Sequence, residues 1–178
     1  MFFCGLFPLF LAAAPAAAKT LLPPTLVSCV SETSCEPSSE KLEAFVRDFL
    51  NWYVVRDAEL EERYQENMSR KKWRKLFVEH HTLTEKAVNH LLTPRFQKWR
   101  RDTHLEMPYT NRDFCPPDTN AILCAQDYDD ETFQKASFSL FRAEKDLVEI
   151  VVVQSPSYKI FVRLKALGGQ WRIDGVHL

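Results

Sequence analysis

The hydrophobic period of this chain changes once, and that change restricts the fold more than any other feature. In the front half, Leu42, Phe45, Val46, Phe49, Trp52 and Tyr53 recur at three- and four-residue steps with charged residues between them. This is the pattern of an amphipathic helix, running from about residue 40 to about residue 66, with Ser38 or Ser39 able to cap its start. "SRKKWRKLFVEHH" follows. Thr82 and Glu85 then have the spacing of a capping box and predict a new helix whose buried face is Ala87, Val88, Leu91 and Leu92. Pro94 ends that helix or opens a short one carrying Phe96 and Trp99. Residues 103–121 contain three prolines and no period, and read as a loop. In the last third the period becomes two. Phe138, Leu140 and Arg142 alternate with Ser137, Ser139 and Phe141, "LVEIVVV" is rich in β-branched residues, and Tyr158, Ile160, Val162 and Leu164 alternate with Lys159, Phe161, Arg163 and Lys165. Turn-like breaks at Glu144-Lys145-Asp146, Ser155-Pro156-Ser157 and Gly168-Gly169 divide this region, and "WRIDGVHL" closes it. Strands joined by such short breaks form an antiparallel meander, here of four strands. Helices first and strands afterwards predict an α+β domain, with N-terminal helices packed on a curved antiparallel sheet.

The ends read differently. Residues 1–18, "MFFCGLFPLFLAAAPAAA", carry no charged side chain, and Ala16-Ala17-Ala18 before Lys19 fits the small-x-small rule for signal-peptide cleavage. Pro8, Pro15 and the alanine-rich second half argue against a membrane anchor, so no transmembrane span is expected in the mature chain. Against export stands an n-region without Lys or Arg. Residues 19–39 are rich in Pro, Ser and Thr and read as a flexible arm, leaving 40–178 as a single domain. Removal of residues 1–18 takes Cys4 and leaves four cysteines, Cys29, Cys35, Cys115 and Cys124, which allow three pairings. Cys29–Cys35 and Cys115–Cys124 close the shortest loops, and an oxidising compartment would preserve them. The expected location is periplasmic or secreted. "LVSC" at 26–29 resembles a lipoprotein box and would anchor the chain at Cys29, but Lys19, Pro23 and Pro24 separate it from the apolar run, and lipidation would leave Cys35 single.

Three segments in order, "FLNWY" at 49–53, "ILCAQDYDD" at 122–130 and "WRIDGV" at 171–176, resemble the nuclear-transport-factor-2-like superfamily. They are most similar to a group of secreted bacterial proteins within it, over about residues 40–178. The resemblance implies a cone-shaped α+β roll and an envelope or secreted location. It implies no reaction.

The candidate sites follow from residue chemistry. Asp127, Asp129, Asp130 and Glu131 fail as an EF-hand loop, because the sixth position from Asp127 is Thr132 and the twelfth is Phe138. They read better as a turn that satisfies its own backbone. No metal and no cofactor is expected. Enzymes of the superfamily place a general base inside the cone, which makes Tyr53, His90, Asp127 and Asp174 the cavity candidates. Asp174 alternates with Trp171 and Ile173, so if those face inward it should face solvent. His80 and His81, neighbours on a helix, should point about 100° apart and chelate poorly.

Total charge is only −1, which does not suit a nucleic-acid binder; nucleic acid is chemically compatible with the basic stretches but poorly matched to an exported protein, so no nucleic-acid partner is expected. The charge is unevenly spread. Residues 69–101 hold ten Lys or Arg against two Glu, while 113–150 hold nine acids against three bases. Trp73 lies among Arg70, Lys71, Lys72, Arg74 and Lys75, and Trp99 among Lys98, Arg100 and Arg101. Such mixtures suit an anionic partner, whereas on an ordinary helix the charges are solvated and the tryptophans pack inward. The expectation is a non-enzymatic, exported binding protein of the bacterial envelope whose partner is a protein or an anionic envelope component. An immunity or inhibitor role toward a secreted toxin is its specific form. The alternative is a small-molecule binder, or an isomerase- or cyclase-like enzyme, using the cavity of the roll.

Overall fold

The computed structural model describes residues 22–29, 38–63, 68–103, 122–124 and 133–178. The expected signal peptide, Cys35, Cys115 and Asp127 lie outside the described residues. Three helices, α1 (Ser39–Glu62), α2 (Arg70–Val88) and α3 (Pro94–Thr103), precede four long strands: β2 (Ser137–Glu144), β3 (Leu147–Ser155), β4 (Tyr158–Leu167) and β5 (Gln170–His177). A fifth, two-residue strand, β1 (Val27–Ser28), comes before them all. The fold is α+β, with the helices packed against a curved antiparallel sheet of order β1-β5-β4-β3-β2.

Helix α1 buries the stripe that its sequence marks out. Leu42, Phe45, Val46, Phe49 and Tyr53 all lie in the core, joined by Leu50, Trp52 and Val54. Each such Leu or Phe contributes on the order of 2 kcal/mol when removed from water. At the start of α1, the Ser38 carbonyl accepts from the Lys41 N–H at 3.0 Å.

Helix α2 differs from the expectation. It runs unbroken through Thr82, where a new start was expected. The cap is Ser69, whose hydroxyl accepts from the Lys72 N–H at 3.3 Å. No Gly or Pro interrupts residues 70–88, so nothing stops propagation. The Thr82 hydroxyl instead donates to the Val78 carbonyl one turn back at 2.8 Å, and the Glu85 carboxylate pairs with Arg100. A short 3-10 turn, Asn89–Leu91, then leads to α3. Pro94 occupies the first helical position, where its missing N–H costs nothing, and Thr93 caps the helix by accepting from the Phe96 N–H at 3.2 Å.

In the sheet, Val148, Ile150, Val152, Ile160, Val162, Leu164, Trp171, Ile173 and Val176 face the helices and are buried. The hairpins turn at the expected places, and Gly168 and Gly169 take φ of 59° and 71°, which suits a two-residue turn matching strand twist. Each of the three strand pairs β2·β3, β3·β4 and β4·β5 contains one register shift, leaving Phe141, Gln154 and Asp174 as extra residues. Such bulges bend strands, and they supply part of the sheet's curvature.

The arm read as flexible contributes an edge to this sheet. Val27 sits opposite Trp171 and Ser28 opposite Gln170, and the Cys29 N–H donates to the Gly169 carbonyl at 2.8 Å. The meander therefore gains a fifth strand that its own sequence, with only Leu26 and Val27 as strand formers, does not announce.

Candidate binding surface on helix α2

The two halves of α2 have different surroundings. From His80 onward the helix is anchored, with His80, Thr84 and Val88 buried at one-turn intervals. In the first half no residue is fully buried, and only Trp73 and Leu76 are half-covered. Arg70, Arg74, Phe77, Val78 and His81 fall at i, i+4, i+7, i+8 and i+11, so they share one face of the helix. Lys71 and Lys75 adjoin that face. Arg70, Lys71, Arg74 and Lys75 are exposed, and two apolar side chains stand among them, Phe77 at 46% and Val78 at 55% exposure. The Phe77 ring lies 6.1 Å from Trp73 and stacks on His81 at 6.1 Å. Among the described residues, none of Arg70, Lys71, Lys72, Arg74 and Lys75 is in an ion pair. Two acids follow on this helix: Glu79, exposed and one turn beyond Lys75, and Glu85, one turn beyond His81 and 4.0 Å from its Nε2, which pairs with Arg100.

The second basic cluster is divided by the fold. Lys98 is exposed. Trp99 is half-buried and stacks on Phe96 with ring centroids 5.6 Å apart. Arg100 is 5% exposed and forms an ion pair with Glu85, tying α3 to α2. It is thus a structural residue and not part of a contact surface. The Arg101 side chain lies outside what is described.

The described cavity candidates, Tyr53, His90 and Asp174, are not gathered into a site. Tyr53 is in the core, 6.2 Å from the Phe49 ring. His90 is exposed on the 3-10 turn. Asp174 corrects the alternation argument. It is 3% exposed, and it accepts from the Thr93 hydroxyl at 2.6 Å and from Arg95 Nη1 at 3.2 Å. The cause is the bulge in β5. Ile173 pairs with Leu164 and Gly175 with Arg163, so Asp174 is unopposed, and the strict inside–outside alternation fails at that residue. Asp174 thereby clamps the start of α3 to the sheet, next to the Thr93 N–H bond to the Ile173 carbonyl at 2.8 Å. The centre of the fold is filled by Phe49, Leu50, Leu91, Phe96, Phe133 and Trp171, each under 2% exposed. An open groove of about 620 Å³ runs between residues 23–28 and the Lys41, Ala44, Phe45 and Asp48 face of α1, but it brings together no cluster of catalytic groups.

Two polar clusters were not visible in the sequence. His80 lies 4% exposed against α1, where burial and the Arg56 charge hold its pKa below the usual imidazole value. Among the described residues its Nε2 has no hydrogen-bond partner. As expected, His81 points elsewhere. On the sheet face away from the core, Glu149 accepts from Arg163 Nε at 3.2 Å and lies 3.3 Å from His177 Nε2. The Phe161 ring stacks on His177 at 5.3 Å and meets Phe141 edge-on at 4.9 Å. The outward positions of Glu149 and Arg163 follow from alternation, but their being directly opposite each other requires the β3–β4 register. Among the described residues, no group of three His, Cys, Asp or Glu is placed to hold a metal ion.

Of the four cysteines expected to pair, Cys29 is half-buried next to β5 and Cys124 is buried, and neither is a free thiol. The Cys124 carbonyl accepts from the Tyr158 hydroxyl, fastening this segment to β4. Burial pushes the Tyr158 phenol above its usual pKa. No helix among the described residues is long and apolar enough to cross a membrane. Comparison with family models, with curated proteins and with solved structures returns no match to this chain.

Proposed function

We propose that this protein is an exported, non-enzymatic binding protein of the bacterial envelope, and that the first half of α2 holds an anionic partner. One observation carries the reading: Arg70, Lys71, Lys72, Arg74 and Lys75 are all exposed, and none is in an ion pair among the described residues. Residues 70–78 contain no acid among these cations, whereas ordinary solvated helices intersperse acids at one-turn spacing. The filled centre and the separate positions of Tyr53, His90 and Asp174 favour binding over catalysis. An inhibitor or immunity role toward a secreted toxin fits the same charged surface, since inhibition requires no reacting group. The helix-then-bent-sheet order supports membership of the nuclear-transport-factor-2-like superfamily, and export is supported by the leader-like residues 1–18. Bridges at Cys29–Cys35 and Cys115–Cys124 belong to the same reading.

The test is affinity capture from the source envelope with the native chain and with a variant in which Lys71, Lys72, Arg74 and Lys75 are replaced by Ser. Capture should fall in the variant while its circular dichroism is unchanged. Equal capture by both chains at low salt would place the interface elsewhere. Protein taken from the periplasm and denatured without reductant should also show no free thiol, and two or more would remove the pairing scheme.

A further inference from the structure

We propose that the exposed face of α2 docks the protein onto an anionic phospholipid bilayer, with Phe77 and Val78 entering the interface and Arg70, Lys71, Arg74 and Lys75 held at the headgroups. This rests on the reading of α2 as the binding surface and names its partner.

The argument begins with where the apolar residues lie. Phe77 and Val78 are adjacent on the helix and roughly half exposed, at 46% and 55%. Val78 is turned away from the buried line of His80, Thr84 and Val88, while Phe77 continues that line one turn before His80, where the described fold leaves it half exposed. An aromatic ring and a valine among solvated charges gain nothing from water. They do gain from a partner that is apolar a few ångströms beneath an anionic layer.

The cations have the matching arrangement. Arg70 and Arg74 precede Phe77 along its own face, and Lys71 and Lys75 precede Val78 along the neighbouring line, at helical spacings of four and three. Long Lys and Arg stems can lie along apolar surface while their charged ends stay at the headgroups. A helix with an apolar strip flanked by Lys and Arg binds in the plane of an interface, not across it. That agrees with the absence of a spanning helix among the described residues.

The competing occupant is an acidic protein. A protein partner would be expected to meet a recess that receives a side chain, together with fixed hydrogen-bonding groups. The first half of α2 is a single convex helix. The open groove described above is lined by residues 23–28 and α1, with no residue of α2. A flat, fluid, anionic surface with apolar depth fits a convex cationic-apolar helix better than a rigid partner does.

The test uses the full chain and sedimentation with phosphatidylcholine vesicles, with and without phosphatidylglycerol, at low and at physiological salt. The native chain should bind only the phosphatidylglycerol vesicles, and less at higher salt. Each Lys or Arg near an anionic membrane is worth about a five-fold change in partitioning. Replacing Arg70, Lys71, Arg74 and Lys75 by Ser should therefore weaken binding roughly several hundred-fold. The pair Phe77→Ser and Val78→Ser, which leaves every charge in place, should weaken it about ten-fold. Urea unfolding curves of both variants check that the fold survives. Binding that falls with the charges but is indifferent to Phe77→Ser and Val78→Ser is purely electrostatic and overturns docking by insertion. Absence of vesicle binding, with envelope capture still dependent on Lys71, Lys72, Arg74 and Lys75, overturns the lipid partner and leaves the binding surface standing. Absence of both overturns the surface as well.

Discussion

Thr93→Val is the sharpest probe of how helices and sheet are joined. Valine has nearly the shape of threonine, so the change removes a hydroxyl and little else. That hydroxyl has two roles. It accepts from the Phe96 N–H at 3.2 Å as the cap of α3, and it donates to Asp174 Oδ1 at 2.6 Å. Loss of a cap costs roughly 1 kcal/mol. Loss of a hydrogen bond to a charged group costs about 1.5–3 kcal/mol, and here the acceptor is left buried, with Asp174 at 3% exposure. The remaining Arg95 contact compensates poorly, because the Arg95 side chain is 48% exposed and half-solvated pairs of this sort are worth under about 1 kcal/mol. The two losses share one atom and will not add fully, so Thr93→Val should cost about 2–4 kcal/mol. In urea unfolding, with a slope of about 1–3 kcal/mol per molar, the midpoint should fall by roughly 1–2 M at an unchanged slope. Thr93→Ser keeps both bonds and should lie much closer to the native protein. A Thr93→Val midpoint within experimental scatter of the native one would show that the Asp174 clamp contributes nothing, and the bulge-based account of Asp174 would be wrong.

His80 and the β4–β5 turn offer further checks. Because the folded-state pKa of His80 is lowered, the unfolded chain binds its proton more readily. Its contribution to stability is complete above the unfolded value of 6.5 and is lost as pH falls through the lower folded pKa. Stability measured from pH 7.5 down to pH 5 should decline less steeply in His80→Leu than in the native chain; identical profiles would exclude His80 as a source of acid sensitivity. Gly168 has φ of 59°, and a Cβ there would meet nothing within 4 Å. Gly168→Ala should therefore cost only the left-handed backbone penalty, about 1 kcal/mol, seen as a small drop in thermal midpoint. A much larger drop would mean that this turn has packing partners.

The α+β class could be read directly from residue order, because each period corresponds to one kind of surface. A three- and four-residue spacing at Leu42, Phe45, Val46 and Phe49 can bury only a helix face, and the alternation at Ile160, Val162 and Leu164 can bury only a sheet face. Turns were equally legible, since Gly168-Gly169 has few other uses. The candidate basic surface was legible as composition but not as geometry. Arg70 to Lys75 and Lys98 to Arg101 look alike in sequence, yet one cluster is solvent-facing and the other has Arg100 inside an ion pair with Glu85. That Phe77 and Val78 are left about half exposed, at 46% and 55%, is a fact of the fold and not of the sequence.

What the chain alone determined, then, is local: which stretches coil, which extend, and where they break, because those depend on neighbours a few residues apart. Tertiary structure decided everything that depends on register or on which side of an element is occupied. A single extra residue in β5 turned Asp174 from an expected surface carboxylate into a buried clamp on Thr93 and Arg95. A β5 edge left open by the meander recruited Val27 and Ser28 from an arm with little strand character of its own. The reason is common to both. Pairing across a sheet joins residues distant in sequence, and one inserted residue reverses every inside–outside assignment beyond it, so the outcome belongs to the assembled sheet and not to any one of its strands.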